Sequence, residues 1–189
     1  MSDYKFDIEF NFEVFAEKEL NHSEFERCIF NNCNFSNCVF AAVIFIDCIF
    51  HDCNFNNAKI NHVAFRTVKF KNSSFENVNF AMCDKIIFEI AFEKCNLDFS
   101  KFYDLKLKGT NFKNCSIVAV DFMQADLTNV IFDNCDLYRT EFALAIANKS
   151  DFQTSYNYTI DPTKTRLKKA IFALEHVKGL LHKWDIIIK

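Results

Sequence analysis

Large apolar residues return every five positions through most of this 189-residue chain, and no helix or ordinary strand can bury a residue with that period. Phe25, Phe30, Phe35, Phe40, Phe45, Phe50, Phe55, Ile60, Phe65, Phe70, Phe75 and Phe80 form one unbroken series. A second runs Phe92, Leu97, Phe102, Leu107, Phe112, Ile117, Phe122, Leu127, Phe132, Leu137 and Phe142, and reaches Phe152 after Ala147. A residue every fifth position faces one axis only if the backbone turns a corner after each pentad. Four corners close a square, so one coil takes about twenty residues and coils stack at about 4.8 Å. The expected architecture is an all-β solenoid, a quadrilateral β-helix of six to seven coils between Leu20 and Phe152.

A break tests that geometry. Phe80 and Phe92 are twelve apart, two more than two pentads, which places a two-residue bulge near 82–86 and Ile87 as the inward residue of that coil. Columns then align across it. One reads Phe30, Phe50, Phe70, Phe92, Phe112, Phe132, Phe152; another reads Phe40, Ile60, Phe80, Phe102, Phe122, Phe142. With only two Gly and one Pro, the corners need another residue that tolerates unusual backbone angles, and the column Asn32, Asn72, Asn114, Asn134 supplies it.

Of the nine cysteines, all but Cys83 lie two residues before a repeating large residue, at sites that elsewhere hold Val, Ala, Ser or Thr. They read as small buried groups in a reducing compartment rather than a disulfide framework or a metal site. His51 and His62 read as surface or turn residues. No apolar run spans a membrane and no secretory leader opens the chain, so the expected location is the cytoplasm.

Segments such as "CIFNN CNFSN CVFAA" resemble the pentapeptide-repeat family, whose loose motif places a small residue two before a central Leu or Phe. The resemblance implies a right-handed coil. The ends depart from the beat. Residues 1–19, with Phe6, Ile8, Phe10 and Phe12 alternating with Asp7, Glu9 and Asn11, read as an N-terminal strand cap of net charge −4. The repeat is expected to fill 20–160. Beyond Asp161-Pro162, residues 161–189 carry net charge +4 and read as a short C-terminal helix and tail, with Leu174, Val177, Leu180, Leu181 and Trp184 on one face.

That tail is similar to those of the Qnr-type branch of the family, associated with quinolone, albicidin and microcin resistance. The resemblance implies a homodimer, here through Leu174, Val177, Leu181, Trp184, Ile186, Ile187 and Ile188. It also implies an alternative role, binding DNA gyrase or topoisomerase IV by imitating duplex DNA. Residues 24–160 hold sixteen acids against thirteen bases, and the outward column Asn31, His51, Lys71, Glu93, Lys113, Asp133, Gln153 alternates in sign, which fits ion pairs better than a phosphate stripe. Long inserted loops of the quinolone-protecting members are missing too.

No nucleotide, metal or catalytic motif stands out, and an interior filled by its own rings offers no substrate cavity. The chain therefore reads as a non-enzymatic protein-binding scaffold without cofactor, metal site or direct contact with nucleic acid. A charge-poor side containing Met82, Tyr103, Met123 and Leu144 is a candidate partner face, with small residues at tight turns as the plainer explanation.

Overall fold

The computed structural model describes residues 3–15, 20–184 and 186–187. It is a four-sided parallel solenoid, and the pentad is its unit. Strands are two to four residues long because the chain turns after every pentad.

The first side stacks β1 (Tyr4–Phe6), β4 (Glu24–Glu26), β7 (Ile44–Ile46) and β10 (Ala64–Arg66). The second is a seven-stranded sheet, from β2 (Glu9–Asn11) through β5 (Ile29–Asn31), β8 (Ile49–His51), β11 (Val68–Lys71), β12 (Ile90–Glu93) and β13 (Asn111–Lys113) to β14 (Ile131–Asp133). A third side is a ladder of single bridges, Val14–Asn34–Asn54–Ser74–Asn96–Ser116–Asp136–Tyr156. The fourth holds β3 (Leu20–Asn21), β6 (Val39–Ala41) and β9 (Lys59–Asn61), continued by Asn79–Lys101–Asp121–Glu141. Phe30 pairs with Phe50 at the twenty-residue offset, and Phe70 pairs with Phe92 at twenty-two, across the insertion.

Corners fall two residues past each inward side chain, where Asn32, Asn37, Asn57, Asn72, Asn77, Asn114, Asn129 and Asn134 all have φ between +49° and +60°. Asn tolerates this left-handed region better than most residues, which is why the chain manages with so little glycine. Several corners are hydrogen-bonded turns with the positive φ at their third residue, as where Cys38 N donates to Phe35 O at 3.0 Å around Asn37.

The interior is an array of rings. One column runs unbroken from Phe10 through Phe30, Phe50, Phe70, Phe92, Phe112, Phe132 and Phe152 to Phe172, with neighbouring centroids 4.5–5.5 Å apart. Rings in adjacent columns meet edge to face, as Phe70 does with Phe75 at 4.8 Å and 77°. Offset stacks along a column and edge contacts between columns both suit the ring quadrupole.

All nine cysteines are free and buried. They also do more than fill space. Cys53 donates its thiol to Phe30 O at 3.4 Å and to His51 O at 3.3 Å, and Cys33, Cys48, Cys95, Cys115 and Cys135 make the same two bonds to their own equivalents. Where serine or threonine takes the place, as at Ser150, Ser155 and Thr165, the hydroxyl donates to the same carbonyl of the preceding coil. A small donor there bonds the carbonyl of an inward residue one coil earlier. Burial pushes the Cys38 thiol up to about 11 and Cys48 up to about 12, so both remain protonated.

Three sequence expectations need correction. The N-terminal segment is not a strand with one buried face: Phe6, Ile8 and Phe12 are exposed, while Phe10 and Phe15 turn inward. It is a further coil in register, since Tyr4 pairs with Glu24 and Phe10 with Phe30. Phe10, Phe15 and Leu20 carry the five-residue beat through this coil, and only its first place departs, where Lys5 sits above Phe25 with its ammonium 5.6 Å from that ring and paired with Asp3. A cation over the last ring lets the stack end against water. At the insertion, which lies between Asp84 and Glu89, Ile87 is exposed and Phe88 packs against Phe65 and Phe80 instead. The repeat also does not end at residue 160. Beyond Asp161-Pro162 the ladder resumes with Ile146–Arg166 and Asp151–Ile171.

Phe70 lies in mid-column and is fully buried, so Phe70→Ala should destabilise the fold by about 3–5 kcal/mol. The same change at half-buried Phe10, on the first coil, should cost clearly less. Urea unfolding of both variants checks the order; equal losses would mean that the rings do not act as a stacked column.

Candidate binding surfaces

Two surfaces bear the residues singled out from sequence. The first is the C-terminal tail. Residues Leu174–Leu180 and His182–Trp184 form two short 3-10 segments rather than an α-helix. At three residues per turn, Leu174, Val177 and Leu180 share an edge. Leu180 is the one that packs on the core, together with Phe172 and Leu167. Leu174 and Ile187 are largely exposed, Trp184 and Ile186 are about half exposed, and Val177 and Leu181 are half-buried. Ile188 lies outside the described residues.

Two contacts hold this tail to the last coil. Gly179 lies directly on Tyr158: a Cβ there would fall 2.2 Å from Tyr158 O, and Ile160 N donates to Gly179 O at 3.1 Å. No other residue fits so close to that backbone. Further along, Lys183 Nζ reaches Asp161 Oδ2 at 3.0 Å and donates to Thr163 Oγ1 at 2.9 Å. The Asp161 carboxylate also receives the Thr163 hydroxyl at 2.6 Å and the Thr163 amide at 2.8 Å. Those bonds, the Thr163 hydroxyl first and Lys183 after it, lower the Asp161 carboxyl to about 2.

Between the tail and the flank of the last coils runs an open cleft of about 1000 Å³, lined on one wall by Tyr138, Arg139 and Tyr156 and on the other by His176, Lys178 and His182. Sequence reasoning missed it, although Phe172 and Leu167 fall twenty residues after Phe152 and Ala147 and could have shown the coil continuing. The lost beat at Pro162, exposed where a Phe142 equivalent would point inward, concealed that signal.

The second surface is the charge-poor side. Tyr103 and Met123 occupy the same position in successive coils, and Met82 and Leu144 sit one residue further along, at corners where Asp104 and Gln124 intervene. Tyr103, Met82 and Leu144 are exposed, while Met123 is half-buried. Lys85 pairs with Asp104 at 3.0 Å in the middle of this side, so the apolar groups are neighbours without forming one continuous patch.

The sign-alternating column stands in register as the sequence implies, with Lys71 and Glu93 3.8 Å apart. Exposed pairs of this kind contribute at most about 1 kcal/mol each. On the fourth side Lys101 lies beside Asp121, which lies beside Glu141, so one basic group precedes two acidic ones. Among the described residues no cluster of His, Cys, Asp or Glu could hold a metal ion, and no helix is long and apolar enough to cross a membrane.

The chain matches the family described as a pentapeptide repeat region over residues 23–85 and 85–161. A trypsin-treated variant of QnrB1, a plasmid-mediated fluoroquinolone resistance protein, has a TM-score of 0.59 and 16% identity, over 100% of this chain and 98% of its own. HetL, a pentapeptide repeat protein involved in heterocyst differentiation regulation from the cyanobacterium Nostoc sp. strain PCC 7120, has a TM-score of 0.42 and 12% identity, over 91% and 87%. No curated protein sequence matches the chain. At these identities the first superposition shows a shared fold.

Asp161 gives the tail a pH dependence of definite sign. A carboxyl lowered on folding stabilises above the ordinary aspartate range near 4, and that contribution disappears as pH falls through about 2. The fluorescence anisotropy of Trp184, the single tryptophan, should therefore fall between pH 4 and pH 2 as the tail loosens. Asp161→Asn should already be low at pH 7; a wild-type titration curve in that variant would remove the role given to Asp161.

Proposed function

The chain belongs to the pentapeptide-repeat family, and from that premise we propose that it is a non-enzymatic rod that binds another protein through its outer faces. One observation carries this reading. The inward columns are filled by the chain's own side chains, so a macromolecular partner meets the outer columns, which repeat at the coil spacing of about 4.8 Å. Such a ruler of rigidly spaced groups suits a protein surface. The side bearing Met82, Tyr103, Met123 and Leu144 is the favoured contact because large apolar groups are exposed there beside a single ion pair, Lys85 with Asp104.

A topoisomerase partner gains support from the fold shared with QnrB1, and DNA gyrase or topoisomerase IV is accordingly the first partner to test. The mixed charge of the outer columns argues that such binding would use shape and apolar contacts rather than a copy of the phosphate backbone. The tail supports a second part of the reading, a homodimer through Leu174, Val177, Leu181, Trp184, Ile186, Ile187 and Ile188. Exposed large apolar groups at the end of a rod bury themselves most simply against a second copy.

Purified gyrase and topoisomerase IV, titrated with the chain in supercoiling and decatenation assays with and without a quinolone, test the topoisomerase partner. Inhibition or protection that is lost in Tyr103→Glu/Met123→Glu supports it; no effect on either enzyme removes it. The broader reading is tested by immobilised wild-type chain against the same double variant, and a partner that binds both equally would sink the proposed face.

For the dimer, sedimentation equilibrium should give twice the chain mass for wild type and the single-chain mass for Trp184→Glu. Unchanged mass in the variant would refute that interface.

A further inference from the structure

The cleft beneath the tail is a cavity with its own chemistry, separate from the side faces. Its volume, about 1000 Å³, is at the upper end of what encloses a small organic ligand. Four of its lining residues are basic or imidazole groups, Arg139, His176, Lys178 and His182, and no Asp or Glu lines it among the described residues. Elsewhere on the molecule acids accompany the bases, as with Lys71 and Glu93, Lys85 and Asp104, or Lys108 and Asp126. Charge of one sign gathered in a recess attracts an anion far more than the same charges spread over a rod.

The rest of the lining favours a flat partner. Tyr138 and Tyr156 are exposed on one wall, and Ile186 and Ile187 are exposed on the other. Tyr158 also lines the cleft. It is 3% exposed, and its hydroxyl has no hydrogen-bond partner among the described residues. A buried donor without an acceptor is uncommon in a folded chain, and an anionic ligand seated nearby would supply one.

We propose that this cleft binds an aromatic anion of about nucleotide size. Its phosphate or carboxylate would lie between Arg139 and Lys178, and its ring would lie against the tyrosines. Arg offers a planar fork to either kind of oxyanion, while Lys contributes a point charge. The residues that line the site all belong to one chain, and none of them is on the proposed side face; Leu181, Ile186 and Ile187 are shared with the proposed homodimer interface.

Titration calorimetry with three probes tests this: adenosine monophosphate, 2-naphthoate and uncharged adenosine. Binding of either anion at one site per chain, with adenosine bound at least tenfold more weakly, supports the proposal. Preference for the nucleotide would identify a phosphate ligand, and preference for naphthoate a carboxylate. Arg139→Glu and Lys178→Glu, both at exposed positions, should each weaken anion binding at least tenfold, and Tyr158→Phe should weaken it less. Gly179→Ala, which displaces one wall, should abolish it. No binding of either anion, adenosine bound as tightly as the nucleotide, or full affinity in both charge variants would overturn the proposal.

Discussion

Successive coils bond to each other through the parallel backbone ladder, and that ladder holds each inward ring over the ring one coil earlier. Strand spacing and ring stacking distance nearly coincide: strands lie about 4.8 Å apart, and the rings of the Phe30 column lie 4.5–5.5 Å apart. Backbone hydrogen bonding and aromatic packing thus require the same register. A one-residue slip would break both. This agreement explains how strands of two to four residues and single bridges, too short to stand alone, keep one register along the rod.

The same constraint governs how the structure handles irregularity. Two extra residues between Asp84 and Glu89 are pushed outward as a local bulge, and the ladder regains its register within one corner, at Val68–Ile90. Phe88 is recruited inward because the coil still needs a ring against Phe65. At Asp161-Pro162 the solution is similar: a turn organised by the Asp161 carboxylate absorbs the irregularity, and Phe172 completes the ring column. The two ends of the rod are closed differently. Lys5 ends the stack with a charge, whereas Leu180 and the tail held by Gly179 cover the other end.

Because the interior is complete, the surface divides by geometry into repeating sides and one exceptional corner. The sides present one residue per coil at each position, with residue type and charge changing from coil to coil, and suit broad contact with a macromolecule. The corner under the tail is concave, basic and aromatic, and exists because the tail leaves the coil path after Phe172. Different ligands belong to these two kinds of surface, and neither requires the other.

The five-residue beat determined the coil, the inward columns, the burial of the cysteines and the Asn corners, since each follows from period and residue size alone. Position along the chain also located the insertion to within a few residues. It did not reveal which residue turns inward there, because Ile87 and Phe88 are both large and apolar and only the path of the corner chooses between them. Nor could it show that Lys5 continues the series, since an inward lysine is tolerable only where an end coil leaves its ammonium near water. The short C-terminal helix read from its apolar spacing is present, as 3-10 segments anchored by the contact of Gly179 with Tyr158 and the ion pair at Asp161. The cleft is the clearest product of tertiary structure. Arg139, Tyr156, Lys178 and His182 share no spacing or motif, and only the fold of the tail against the last coils brings them together.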